Sequence, residues 1–106
     1  MTLDSLYTLL NTKFPGKVCY NAFPKNDAPV MPFICIVATN TNNFAADNRV
    51  YHKRQNVDIE LYTKTKDLTT ESTLEGVLDD AGIFYNATDT YLDDERCFER
   101  IYGIEV

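Results

Sequence analysis

The sequence predicts an α+β fold in which two helices pack on one face of a mainly antiparallel sheet with a long projecting hairpin. Two segments, residues 2–14 and 67–82, space their apolar residues as one face of a helix does. Strand-like segments are grouped between these helices and after the second one, which gives the order α-β-β-β-α-β-β. A length of 106 residues is typical of one domain, so we expect residues 1–106 to form a single domain.

The first helix is predicted from the segment TLDSLYTLLNTKF. Thr2 can cap its N-terminus, and Asp4 complements the positive end of the helix dipole. Pro15 and Gly16 end it, because a proline disfavours helical backbone in the residue before it and glycine permits a turn. The apolar face is formed by Leu3, Leu6, Tyr7 and Leu10.

Two strands with different surroundings are expected next. Residues 17–23 form a short strand, and the proline-rich segment 24–32 is a loop, because proline cannot donate to a strand ladder. Residues 33–40 (FICIVATN) are apolar without alternation. A strand of this kind is buried on both faces or lies centrally in the sheet.

The segment from Asn40 to Thr63 predicts the long hairpin. Residues 57–63 (VDIELYT) alternate apolar with polar side chains, so one face belongs to the core and the other faces water or a partner. Residues 50–56 continue as extended chain with polar residues on both faces. The tip, residues 40–48, is rich in Asn, Asp and Thr, which suit turns.

The second helix and two further strands complete the chain. Asp67 is a plausible N-cap of the helix, and Gly82 is well placed directly after its C-terminus. The rest of the sequence reads as strands over residues 83–88 and 96–106, which are joined by an acidic turn at 93–95.

The charge balance disfavours tight binding to nucleic acid. Ten Lys and Arg residues oppose sixteen Asp and Glu residues, for a net charge of −6 and a pI near 4.6. DNA-binding proteins gain affinity by neutralising phosphates with clustered cations. The densest cluster here is Lys53–Arg54 with Arg49 nearby.

The cysteines and the N-terminus indicate a domain made in the cytoplasm. Cys19, Cys35 and Cys97 are far apart and odd in number, so we expect free thiols in a reducing compartment. No basic segment followed by an apolar run opens the sequence. No stretch approaches the roughly 20 apolar residues of a membrane span.

The sequence offers little catalytic chemistry, so we expect a protein that is not an enzyme and has no catalytic residue, metal site or cofactor. The one histidine, His52, lies in a polar stretch and reads as a surface residue. The acidic pairs Asp79–Asp80 and Asp93–Asp94 lack the spacing of a calcium loop. The dispersed cysteines lack that of a zinc site.

Phe44 is the one large apolar residue in the polar tip of the hairpin, and two interpretations of it are open. The ring can fold back as a local hydrophobic plug. Alternatively, it can dock into a neighbouring subunit, because exposed aromatic residues anchor interfaces. Extended chain at the tip also suits strand addition to a neighbour's sheet.

The chain from Pro32 onward resembles tail terminator (tail completion) proteins of tailed phages and prophages of low-GC Gram-positive bacteria. The most specific part is the run NNFAADNRVY, in which N-F-x-A-D-N-x-V-Y spans Asn43 to Tyr51, together with DIELYT at Asp58–Thr63. The second helix, with Leu74–Glu75, and the segment IFYNATDTYLDDERCFERIYGIEV continue the likeness.

The resemblance implies a virion protein at the tail–neck junction, assembled in the bacterial cytoplasm. Such subunits form a ring, expected to be a hexamer, that caps the tail tube and stops its polymerisation. The implied partners are further copies of the chain, the major tail tube protein and the head–tail connector or neck proteins. DNA would pass through the channel without specific binding, and no membrane is involved. The implied interface residues are Asn43, Phe44, Ala46, Asp47, Asn48, Val50 and Tyr51.

Two alternatives to a tail terminator are kept. The first is a head-closure or head–tail joining protein of the phage neck, one ring closer to the head. The second, from another class, is a small enzyme or an inhibitor of a host enzyme. The second alternative requires a convergent polar pocket, which one histidine and dispersed cysteines do not favour.

Overall fold

The regular structure of the described residues consists of two helices and seven strands. The computed structural model describes residues 1–24, 27–41, 44–46, 49–52 and 54–106. Its elements are α1 (Leu3–Lys13), β1 (Val18–Tyr20), β2 (Phe33–Thr41), β3 (Phe44–Ala46), β4 (Arg49–His52), β5 (Gln55–Thr63), α2 (Leu68–Asp80), β6 (Asn86–Leu92) and β7 (Cys97–Glu105).

Five of these strands form the main sheet, in the order β1-β2-β5-β7-β6. β1 runs parallel to β2, and the other three pairs are antiparallel. β3 and β4 form a separate antiparallel pair within the connection from β2 to β5. The protein therefore has an α+β fold with a mainly antiparallel sheet, and the predicted order of elements is confirmed.

Both helices begin and end with the chemistry that the sequence predicts. The Thr2 hydroxyl accepts a hydrogen bond from the backbone N–H of Ser5 at 3.2 Å, and Asp67 Oδ1 accepts one from that of Thr70 at 3.1 Å. These bonds satisfy backbone donors that the first helical turn leaves free. Gly82, with φ +69°, follows α2 in the left-handed conformation that ends many helices.

The core lies between the two helices and one face of the sheet. α1 contributes Leu6, Leu10 and Phe14, and α2 contributes Leu74, Val77 and Leu78. The sheet contributes alternate residues of its strands: Val18, Ile34, Ile36, Val57, Ile59, Leu61, Tyr102 and Ile104. Because side chains alternate along a strand, the intervening residues lie on a second face that no helix covers. We call this second face the open face.

Four predicted strands have different bounds in the structure, and three of them differ only at their ends. The first strand was expected over 17–23 and ends at Tyr20, because Asn21 adopts a positive φ of 62° and turns the chain. The strand expected over 33–40 extends one residue further, to Thr41. The last strand was expected over 96–106 and covers Cys97–Glu105, since Arg96 also has a positive φ, 52°.

The strand expected over residues 83–88 lies further along the chain, at Asn86–Leu92. Ile83 does not begin it, because its backbone N–H bonds to the carbonyl of Leu78 at 2.9 Å and so still belongs to the end of α2. The acidic turn at Asp93–Glu95 is found as expected, between β6 and β7.

Tyr102 connects the core to a polar cluster beside α2. The side chain is fully buried, and its hydroxyl donates to Glu75 Oε2 at 2.7 Å and accepts from Arg100 Nε at 3.0 Å. Burial raises the pKa of the phenol. The ring also lies under the Arg100 guanidinium, 5.2 Å from the ring centre.

We expect Tyr102→Phe to lower the free energy of unfolding by about 2 kcal/mol, because it leaves partly buried charged partners without the hydroxyl. Urea denaturation measures this loss. Tyr91→Phe is the matched control, since Tyr91 is 48% exposed and should change stability by less than about 0.5 kcal/mol. Equal effects of the two variants would contradict the role given to the Tyr102 hydroxyl.

Candidate assembly surface

The helix-covered side of the sheet holds a network of ion pairs around Arg100. Its guanidinium lies 2.9 Å from Asp89 Oδ1, 3.5 Å from Glu75 Oε2 and 3.7 Å from Glu71 Oε1. Lys66 Nζ adds contacts of 2.9 Å to Glu71 and 3.2 Å to Asp89. The hydrogen bond from Arg100 holds the pKa of Asp89 below its usual value. Each carboxylate in the network has a cation beside it, which is the arrangement of a structural cluster.

The open face has a different chemistry, which follows from the strand register. Asp58 pairs with Gly103, Glu60 with Ile101 and Tyr62 with Glu99, so these residues share one face of β5 and β7. The β6 residues that lie next to them are uncharged: Asn86, Thr88 and Thr90. No Lys or Arg occupies an open-face position of β5, β6 or β7.

Three carboxylates of the open face have no cation beside them among the described residues. Asp58, Glu60 and Glu99 take part in no ion pair with the residues that the structure describes. The Tyr62 hydroxyl donates to Glu60 Oε1 at 2.9 Å and also interacts with Glu99. Burial raises the pKa of Glu60, and the charges of Glu99 and Asp58 raise it further against the lowering effect of the Tyr62 bond.

The β2 end of the open face is covered by the loop between β1 and β2. Phe23, from this loop, packs edge-on against Phe33 with ring centres 5.4 Å apart, and Phe33 packs against Tyr62 at 5.1 Å. Beneath the loop, the thiols of Cys19 and Cys35 lie 3.4 Å apart. Burial raises the pKa of Cys35 to about 12, so this thiol is held protonated and unreactive at neutral pH.

A two-stranded arm extends the hairpin beyond the main sheet. β2 and β5 remain paired as far as Thr41 and Gln55, with an irregularity between Ala38 and Asn40. Beyond them, β3 and β4 pair with each other and with no strand of the main sheet. We call residues 42–54, which contain β3 and β4, the arm.

The interface residues implied by the family resemblance are all in the arm. Phe44 and Ala46 lie in β3, and Val50 and Tyr51 lie in β4, which the register places opposite β3. The other three, Asn43, Asp47 and Asn48, lie outside the described residues. Whether Phe44 forms a plug or an intersubunit contact remains a prediction.

An open groove of about 660 Å³ lies near the root of the arm. It is bordered by Arg54, Asp58, Phe84 and Val106, among others. Phe84 is 83% exposed, which is unusual for a large aromatic side chain. Among the lining residues, Arg54 is the one with a basic side chain, and it pairs with Glu105 at 3.7 Å. Nothing in the groove resembles a nucleophile beside a base.

The described residues show three further features. In the described part of the chain, no group of three or more His, Cys, Asp or Glu side chains is arranged to hold a metal ion. No helix there is long and apolar enough to cross a membrane. Cys19, Cys35 and Cys97 are free thiols.

Sequence reasoning missed two parts of the surface. The alternation of residues 57–63 indicated one wet or partner-facing side, but the match of Glu99 with that side depends on the register of β7, which no local pattern gives. The exposure of Phe84 is not predicted by the sequence, because the aromatic residue of a strand over residues 83–88 is expected to pack.

The chain shares its fold with a protein of a virus-like particle. It is similar to a chain in the solved structure of the virion of a native gene transfer agent particle, with a TM-score of 0.64 and 12% sequence identity. The match covers 91% of this chain and 81% of that chain. No protein-family model matches the sequence, and no curated protein matches it significantly.

We expect Glu60→Gln to stabilise the fold at neutral pH and to have no effect in acid. A raised carboxyl pKa means that the folded state favours the protonated form. That contribution is complete below the ordinary value of 4.5 and is lost as the pH rises through the folded-state pKa. The neutral amide keeps the acceptor for Tyr62 without the charge. The unfolding midpoint should therefore rise on the order of 2 °C at pH 7.

Thermal unfolding at pH 7 and below pH 4 tests this prediction. The control is Glu95→Gln, in the exposed turn after β6, for which we expect no difference at either pH. A rise of the same size at both pH values would show that the charge of Glu60 is not the cause.

Proposed function

We propose that the protein is a virion structural protein, and more narrowly a tail terminator whose subunits form a ring on the end of the tail tube. The observation that carries the proposal is the arm, a paired extension that the chain's own sheet does not use. Strands that pair with each other outside the main sheet of their own chain are typical of surfaces that are completed by another subunit.

Two independent lines support a role in a particle. The fold is shared with a chain of the gene transfer agent virion, and a likeness at 12% identity supports the architecture rather than the position in the particle. The sequence run from Asn43 to Tyr51 supplies the narrower assignment through its resemblance to tail terminators. In this proposal a hexameric ring meets the tube protein on one side and the connector on the other.

The charge of the chain is compatible with a channel for DNA. A subunit with a net charge of −6 repels phosphates, so a ring of such subunits would let DNA pass without holding it. In this proposal the chain is not an enzyme and requires no cofactor. It acts through its binding surfaces, and the result of its binding is a tail tube of defined length.

The proposal is tested by polymerising the purified major tail tube protein with and without this chain and measuring tube lengths by electron microscopy. We expect shorter tubes that end in a ring containing this protein. Unchanged lengths and ends would overturn the terminator assignment. Binding to isolated connector in place of tubes would then favour the head-closure or head–tail joining role.

Phe44→Ala should leave the subunit folded and weaken its self-association. The ring of Phe44 is the largest apolar group that the arm offers, and truncating an aromatic anchor typically costs an interface 2 kcal/mol or more. Sedimentation velocity measures the self-association, and circular dichroism checks the fold. Phe84→Ala serves as a matched control at a second surface. Normal assembly and tube capping by Phe44→Ala would contradict the role of this residue as an anchor.

A further inference from the structure

We propose that the open face of the sheet is the docking surface for the arm of a second copy of this chain. The proposal deepens the ring function above and rests on it. It identifies the two surfaces that join neighbouring subunits: the arm of one, and the carboxylates Asp58, Glu60 and Glu99 of the next.

Charge is distributed unevenly along the chain. The arm, residues 42–54, contains three Lys or Arg residues and one Asp, for a net charge of +2. The remaining residues contain seven Lys or Arg and fifteen Asp or Glu, for a net charge of −8. An acidic protein thus carries one cationic extension, and complementary charges of this kind steer and orient association.

The carboxylates on the two faces of the sheet differ in whether a cation lies beside them. On the helix-covered side, Lys66 and Arg100 lie against Glu71, Glu75 and Asp89. On the open face, the described residues provide no cation to Asp58, Glu60 or Glu99, and burial already raises the pKa of Glu60. A cation arriving from another subunit would lower the cost of these partly desolvated carboxylates.

The open face combines apolar side chains with its carboxylates. Ile101 and Val37 lie on it and are half-buried, beside Tyr62 and the carboxylates. A purely solvated face would not be expected to hold apolar side chains at its centre, whereas an apolar centre with polar surroundings is the usual anatomy of an interface. The arm can match both components, because it combines Phe44, Val50 and Tyr51 with its cations.

The dimensions are compatible with this docking. The described strands of the arm, β3 and β4, have three and four residues and therefore span about 10 to 13 Å each, and neighbouring strands lie roughly 4.8 Å apart. Either strand can therefore reach across β5 and β7, the two strands that carry the open-face carboxylates. Because the arm and the face are different surfaces, the contact is head-to-tail, which is the kind of contact that closes into a ring.

Two charge-reversed proteins test the pairing. The first carries Arg49→Glu and Lys53→Glu, so that its arm is acidic like its face. The second carries Asp58→Lys and Glu99→Lys, so that its face is basic like its arm. Each alone brings like charges together and should lose self-association by tenfold or more, measured by sedimentation velocity over rising concentration. An equimolar mixture offers opposite charges at every junction, and we expect it to assemble in alternation.

Two controls separate docking from folding. Asp79→Lys with Asp80→Lys makes the same change in net charge at the exposed end of α2 and should assemble like the original protein. Glu60→Gln with Glu99→Gln keeps the shape of the face and should weaken self-association by about tenfold with its fold intact. Loss of assembly in the Asp79/Asp80 variant, or no change in the glutamine variant, would overturn the assignment of the face.

Carbodiimide cross-linking, which joins amines to carboxylates in contact, locates the pair directly. A mixture of unlabelled and ¹⁵N-labelled protein should give links of mixed isotope between Lys53 and the open-face carboxylates. Links within one isotope only, or none, would overturn the proposal, as would a protein that stays monomeric at every concentration.

If both charge-reversed proteins still cap tubes, the docking surface is wrong while the proposed function stands. If the original protein does not cap tubes, the proposed function itself fails.

Discussion

The position of β5 in the middle of the sheet is the constraint on which the rest of the structure depends. Its odd-numbered residues Val57, Ile59 and Leu61 are buried under the helices, so Asp58, Glu60 and Tyr62 must lie on the opposite face. A shift of one residue would move three carboxylate or phenol groups into the core, and this cost fixes the register against both β2 and β7. β5 begins directly after the arm, so the register of this one strand determines the core, the open face and the point at which the arm joins the sheet.

The sequence was sufficient wherever a single segment determines its own structure. The caps of both helices and the alternation of β5 are local patterns, and the structure contains them where expected. In β2, residues 34–36 are buried as the apolar sequence predicts, whereas residues 38–41 are exposed. The boundaries of β1, β6 and β7 depended instead on Asn21 and Arg96 adopting positive φ and on Ile83 remaining bonded to Leu78. These are tertiary choices that residue types permit without requiring. The sequence predicted only the part of the open face that β5 forms. The part that β7 forms depends on long-range strand pairing, which no local pattern gives.

The two faces of the sheet treat charge in opposite ways. Beneath α2, a half-buried arginine and a lysine organise three carboxylates into a closed network, which fixes the helix to the sheet. Across the sheet, a tyrosine hydroxyl is the main partner that the described residues give to Glu60. One face therefore pairs each carboxylate of its network with a cation, whereas the described residues pair none of the three carboxylates Asp58, Glu60 and Glu99 on the other.

A protein with an exposed sheet edge must avoid unspecific strand pairing, and β6 shows how this chain does so. β6 forms the outer edge of the main sheet, where unpaired backbone groups could recruit a strand from another molecule. Its exposed residues Thr88, Asp89 and Thr90 place a charge between two hydroxyls in the middle of that edge. Arg100 and Lys66 form ion pairs with Asp89 and hold it in this position. The network that fixes α2 therefore also keeps a charged residue on the edge strand, which disfavours pairing with another molecule. Aggregation through this strand and unfolding of the helix are thus resisted by the same pair of cations.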